Sequence, residues 1–214
     1  MPQVFHEPFD PPGEWGLWRI DEPEDRLRDL LHLYDDEVRQ YAGIRGEARR
    51  REFLAARLLL HRMSGREHRG ELVKDADGKP HLRDSDFFVS ISHTAGYSAA
   101  LAHPRACGID VQRKVARIGR IAPRFLSDAE TAALLAPHEL LQMHLIWSAK
   151  EAMYKAYGRR QLDFRAHLGV DLAGFSPSWT QARAWLRTTD CSMEFALTLR
   201  VYPDFVIVAA VATP

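Results

Sequence analysis

Two short stretches carry side chains that are wrong for purely structural segments. The first is Gly108-Ile109-Asp110-Val111-Gln112. Read as a strand, it puts Ile109 and Val111 on one face and Asp110 and Gln112 on the other, so two oxygen-bearing side chains project side by side. The second is Trp147-Ser148-Ala149-Lys150-Glu151-Ala152-Met153-Tyr154-Lys155. Leu140, His144, Trp147 and Glu151 recur at helical spacing, which puts Glu151 on a stripe read as buried, with Lys155 one turn beyond. Taken singly, the first reads equally as a strand running out into solvent and the second as an ordinary surface Glu–Lys pair. Taken together, Asp110, Gln112 and Glu151 form a set of hard oxygen donors of the kind Mg²⁺ accepts alongside water and phosphate oxygens. Nearby lysines would neutralise such phosphates. Neither a His–Cys cluster nor His-Glu-x-x-His is present, which argues against zinc.

The elements that must position these residues are readable in outline. Glu14–Ile20 reads as a strand, Glu24–Tyr41 as a helix, and Glu47–Met63 as a stronger helix stopped by Gly65. FFVSIS, YSAALA and ACGIDVQ, within 87–112, read as three strands of an antiparallel meander. Ser127 and Glu130 form a capping-box signature for a helix to Leu135. Pro137 opens a long helix to Tyr157, ended by Gly158. Two C-terminal runs, Met193–Val201 and Phe205–Val211, read as a hairpin. No repeat is evident. The class is α+β, divided near Pro104 into an N-terminal half, 1–104, and a C-terminal half, 105–214, that carries the metal site.

Composition narrows the function. The 29 Lys and Arg balance the 29 Asp and Glu, so no global field recruits nucleic acid or an anionic membrane. No apolar run reaches membrane-spanning length and no signal-peptide pattern opens the chain, which predicts a cytosolic protein. Cys107 and Cys191, the two cysteines, read as small buried hydrophobes. Charged partners must therefore meet local patches. One is Arg49, Arg50, Arg51, Arg57 and Arg62. The other is Arg113, Lys114, Arg117, Arg120 and Arg124, with no acid between Gln112 and Ser127.

The two stretches resemble the hallmarks of the 4′-phosphopantetheinyl transferases in their longer, monomeric class: a G-I/V-D-x-acid strand and, some forty residues later, W/F-S-x-K-E-A/S-x-x-K. Gly78-Lys79-Pro80-His81 and Ser92-His93 are supporting matches. The resemblance runs from about Arg51 to Gly158. It implies two similar α+β halves related by a pseudo-twofold, with coenzyme A at their interface. It further implies that Asp110 and Glu151 hold Mg²⁺, that Lys155 contacts phosphates, and that Glu151 activates the carrier serine. Ser92 and His93 would bind the pyrophosphate, Lys79 and Pro80 would lie along the adenine, and His93 would assist catalysis. Lys150 belongs to the motif without a defined role. Arg51 and Arg57 are candidates for the 3′-phosphate, and the run from Arg113 to Arg124 for docking an acidic acyl or peptidyl carrier protein. Gln112 departs from the family, standing where a second strand acid is usual. Two rival readings are a non-catalytic homologue that binds coenzyme A or a carrier, and a Mg²⁺-dependent nuclease built on Asp110, Gln112 and Lys114.

Overall fold

The chain divides into two units, Met1–Pro104 and Arg105–Pro214, in a computed structural model that describes residues 3–159 and 161–214. In the N-terminal unit, β1 (Gln3–Phe9) and β2 (Gly13–Arg19) are followed by α1 (Glu24–Asp29), α2 (Asp35–Ala42) and the long α3 (Glu47–Ser64). Then come β3 (Leu72–Lys74), β4 (Pro80–Leu82), β5 (Phe88–Thr94) and β6 (Tyr97–His103). The antiparallel sheet has the order β1-β2-β6-β5-β4-β3. Leu54, Leu58, Leu59 and Met63 of α3 pack on Trp18, Val89 and Ala100 of the sheet, away from water.

The C-terminal unit opens with β7 (Cys107–Arg113), α4 (Ile118–Ile121), α5 (Asp128–Ala132) and the long α6 (Glu139–Tyr157). It continues through α7 (Phe164–His167), β8 (Leu168–Val170), β9 (Gln181–Arg187), β10 (Ser192–Val201) and β11 (Phe205–Ala212). Its antiparallel sheet runs β7-β11-β10-β9-β8. Ile146, Ala149, Ala152, Met153 and Ala156 of α6 bury one stripe against Val206, Val208, Leu197 and Leu199. Both halves are thus α+β, and no helix among the described residues is long and apolar enough to cross a membrane.

The two units repeat one topology. Strand, short helices, long helix and four strands follow in the same order, and β2, β6, β5, β4 and β3 take the places of β7, β11, β10, β9 and β8. Gly16 pairs with Ala100 as Gly108 pairs with Ala210. Both long helices end on a left-handed glycine, Gly65 and Gly158, which accommodate positive φ without a Cβ clash. Those glycines are 93 positions apart, and the same spacing relates the buried ion pairs Glu37–Arg57 and Glu130–Lys150. The repeat lies in the strand order and in these spacings.

Several expectations are corrected. The three strands read as one meander do not stay together: β5 pairs with β6, whereas β7 belongs to the other sheet and pairs with β11. The helix expected over 24–41 is broken into α1 and α2, because Tyr34 takes an extended backbone at the start of α2 and Glu37 accepts its N–H at 3.1 Å. Leu140 lies outside the buried stripe of α6, at 43 % exposure. Cys107 is buried, but Cys191 is only half-buried.

Candidate active site

Gly108 brings β7 and α6 into backbone contact. A Cβ at this position would lie 1.9 Å from the Ala152 carbonyl oxygen and 2.8 Å from the Ala156 nitrogen, so only glycine fits without parting helix and strand. Strand alternation then turns Asp110 to the same side. Asp110 is buried, at 6 % exposure, and Lys155 donates to its Oδ1 at 2.9 Å and to the Ile109 carbonyl oxygen at 2.9 Å.

Glu151 precedes Lys155 by four residues on α6 and is half-buried. Burial first, and the neighbouring Asp110 charge second, push its carboxyl above the usual carboxylate range, with Lys155 opposing. Two carboxylates and one ammonium therefore meet where strand and helix touch. Gln112, two residues beyond Asp110, donates its amide nitrogen to the Arg113 carbonyl at 3.2 Å, so its amide oxygen is the atom suited to a cation. Among the described residues no three His, Cys, Asp or Glu side chains group as a metal site. Two mutually repelling carboxylates with an amide oxygen fit a hard, oxygen-seeking cation that completes its shell from water and substrate phosphate; they do not fit zinc.

Lys150 is placed differently from its motif neighbours. It is fully buried, and its ammonium donates to the Phe125 carbonyl at 2.6 Å, Glu130 Oε2 at 2.7 Å and the Phe164 carbonyl at 3.0 Å. Burial lowers its pKa and Glu130 opposes that shift. Trp147, on the same helix, packs edge-on against Phe125 and tilted against Phe164.

The N-terminal candidates also separate. His93, the last residue but one of β5, is exposed, beside buried Ser92. Arg49 Nη1 lies 2.8 Å from His93 Nδ1 and donates to Glu52 Oε2 at 3.1 Å. With Nδ1 unprotonated His93 accepts from Arg49; with Nδ1 protonated it donates to Glu52, 3.2 Å away. Arg49, Arg51, Glu52 and His93 line a pocket of about 480 Å³. Arg51 is anchored there through bonds to the Glu22 and Ile20 carbonyls, both 2.8 Å. Lys79 sits over the Phe88 ring, 5.4 Å from its centroid, with Pro80 opening β4. Gly78, at φ +86°, closes the Asp75–Lys79 turn that presents them.

Arg57, the other candidate for the 3′-phosphate, is committed inside its own unit: at 3 % exposure, its guanidinium donates to Glu37 Oε1 and to the Phe53 carbonyl, both at 3.1 Å. Burial lowers its pKa to about 10 despite Glu37. Glu37 itself would be raised by burial, but Arg69, the Tyr34 N–H and Arg57 outweigh that and hold it low. Glu52 has no local sequence signal, and the Ser127–Glu130 spacing marks Glu130 only as a helix cap, not as the partner of Lys150. The spacing of 93 positions was the available signal for Glu130. The basic run is exposed at Arg113, Arg117, Arg120 and Arg124, and half-buried at Lys114.

Comparison with known families gives a consistent answer for both units. Residues 106–202 match the model of the 4′-phosphopantetheinyl transferase superfamily, and residues 42–103 match the 4′-phosphopantetheinyl transferase N-terminal domain. No curated protein matches the chain. With both domains of the longer type matched, the chain belongs to the 4′-phosphopantetheinyl transferase superfamily, and its class is that of a transferase.

Proposed function

We propose that this protein transfers the 4′-phosphopantetheine group of coenzyme A to a serine hydroxyl of an apo carrier protein, releasing 3′,5′-ADP. The observation that carries this reading is the meeting of Asp110, Glu151 and Lys155 at the β7–α6 contact, inside the residues that match the superfamily. The serine oxygen forms a bond to the β-phosphorus as the bond from that phosphorus to the 3′,5′-ADP oxygen breaks. Glu151 accepts the serine proton, directly or through a water; a carboxylate raised toward neutrality is a better base than an ordinary one. Lys155 directs fixed positive charge to the phosphates from a partly buried position, where such charge is strong. Asp110, Glu151 and Gln112 are the residues that would hold Mg²⁺, which when bound offsets charge on the pyrophosphate oxygens.

In the N-terminal half, Arg49, Arg51 and His93 offer cationic and hydrogen-bonding groups to coenzyme A phosphates, with Ser92 beside them. Lys79 and Pro80 offer an apolar edge for the adenine. The carrier docks on Arg113, Lys114, Arg117, Arg120 and Arg124. Among the described residues none of these five is ion-paired to an acid, so their charge is available to an acidic partner. We place the reaction in the cytoplasm and take the protein to act as a monomer.

Incubating the protein with an apo carrier, coenzyme A and Mg²⁺, then weighing the carrier, tests this reading. A carrier heavier by one phosphopantetheine is the expected result, and an unmodified carrier overturns it. Coenzyme A binding without transfer would leave the non-catalytic homologue standing.

A further inference from the structure

Lys150 and Glu151 are consecutive, so their side chains leave α6 roughly 100° apart around its axis. Lys150 is pinned by acceptors from three segments: the Phe125 carbonyl, Glu130 of α5, and the Phe164 carbonyl. Glu130 extends the tie, because its Oε1 accepts the Val170 N–H of β8 at 3.1 Å and its Oε2 accepts the Ser127 N–H at 2.8 Å. On another side of α6, Gly108 admits the Ala152 and Ala156 backbone and sets the distance to β7. One contact fixes separation; the other fixes rotation. The rotation determines where Glu151 points.

The N-terminal unit repeats the device without the chemistry. Glu37 accepts from Arg57, from the Tyr34 N–H and, at 3.4 Å, from the Leu72 N–H of β3. Yet Leu58 and Arg62 stand 93 positions before Glu151 and Lys155. A lock retained where there is nothing to catalyse is a device for placing the helix.

We propose that Lys150, through Glu130, is a positioning residue that sets the rotation of α6 and so aims Glu151 at Asp110 and the reacting groups. It does not touch substrate. The proposal rests on the transferase reading for its kinetic consequence, and on direct metal binding for an independent one.

The test compares wild type with Lys150→Met, Lys150→Arg and Glu130→Gln, each checked for native circular dichroism. Lys150→Met should lower kcat on the order of 10²-fold, the scale of a misplaced reacting group, with KM for coenzyme A unchanged. Mn²⁺ titration followed by electron paramagnetic resonance should show weakened binding in the same variant. Lys150→Arg, which copies Arg57, should recover most of both. If Lys150→Met fails to fold, Glu130→Gln, which keeps shape but leaves one acceptor oxygen for the Lys150, Ser127 and Val170 donors, should show the same pattern more weakly. A natively folded Lys150→Met or Glu130→Gln with wild-type kcat and Mn²⁺ affinity overturns the proposal, as does Lys150→Arg no better than Lys150→Met. If wild type transfers nothing to the carrier while Mn²⁺ binding still falls in Lys150→Met and recovers in Lys150→Arg, positioning stands and the transferase reading fails.

Discussion

Lys155 donates to Asp110 Oδ1 and to the carbonyl of the preceding residue, Ile109, each at 2.9 Å. One ammonium thereby joins a helix to both the side chain and the backbone of the strand. Burial first, and then the Asp110 charge, hold the Glu151 carboxyl above the usual carboxylate range, and Lys155 opposes them only in part.

That imbalance has a pH signature. The folded protein keeps the Glu151 proton to higher pH than the unfolded chain does, so the stability this group contributes is present below the ordinary carboxylate value of about 4.3 and is lost as pH rises through the raised one. Glu151→Gln cannot ionise. Without metal it should match wild type in thermal stability at low pH and exceed it near neutrality, while turnover falls by roughly 10²–10⁴. Thermal melts across a pH series check the first part; a wild type more stable than the variant near neutrality would refute it.

Gln112→Glu adds charge beside Asp110. Activity should then reach half its maximum at a lower Mg²⁺ concentration. An unchanged or higher requirement would remove Gln112 from the metal's ligands.

Gly108→Ala should destabilise strongly, by about 1–3 kcal/mol or more, since the three nearest atoms its Cβ would meet all belong to the backbone of Ala152 or Ala156. Gly16→Ala should cost less: its nearest contact, 3.0 Å away, is the Leu59 Cδ1 methyl of a flexible side chain. Denaturant unfolding of the two variants gives the comparison, and equal losses would contradict it.

Reversing Lys114 and Arg117 to Glu should raise KM for the carrier and leave KM for coenzyme A unchanged. Added salt should mimic the change, since exposed charges are screened over about 8–10 Å. A joint rise of both KM values would instead tie the loop to the support of β7, consistent with the Lys114 N–H bond to the Asp204 carbonyl at 2.8 Å.

Which residues of the candidate site share a face was more legible in the chain than the pairing of the strands around them. Alternation in Gly108–Gln112 and helical spacing from Trp147 to Lys155 are local signals, and local patterns identify which residues share a face. Sheet membership is not local: β7 takes its partner from β11, with Ile109 opposite Ala209. The three-residue strands β3, β4 and β8 are too short for any period to register. Lys150 looked like its motif neighbours because periodicity assigns a face without saying what fills it. Arg57 and Lys150 differ in type, so the repeated lock carries the same chemistry in different letters.

Where Asp110 and Lys155 form their ion pair, the N-terminal unit has Trp18, two residues past Gly16, with the Arg62 guanidinium 4.6 Å from the centre of its ring. A cation still reaches from helix to strand, but it now rests on an aromatic face that carries no net charge and ligates no metal. That unit escapes the repulsion of crowded carboxylates and needs no counter-ion to be at ease. At this one contact the two copies should therefore age differently under mutation: the N-terminal pair is free to drift wherever packing permits, while the other is held to its acids by the chemistry proposed for it.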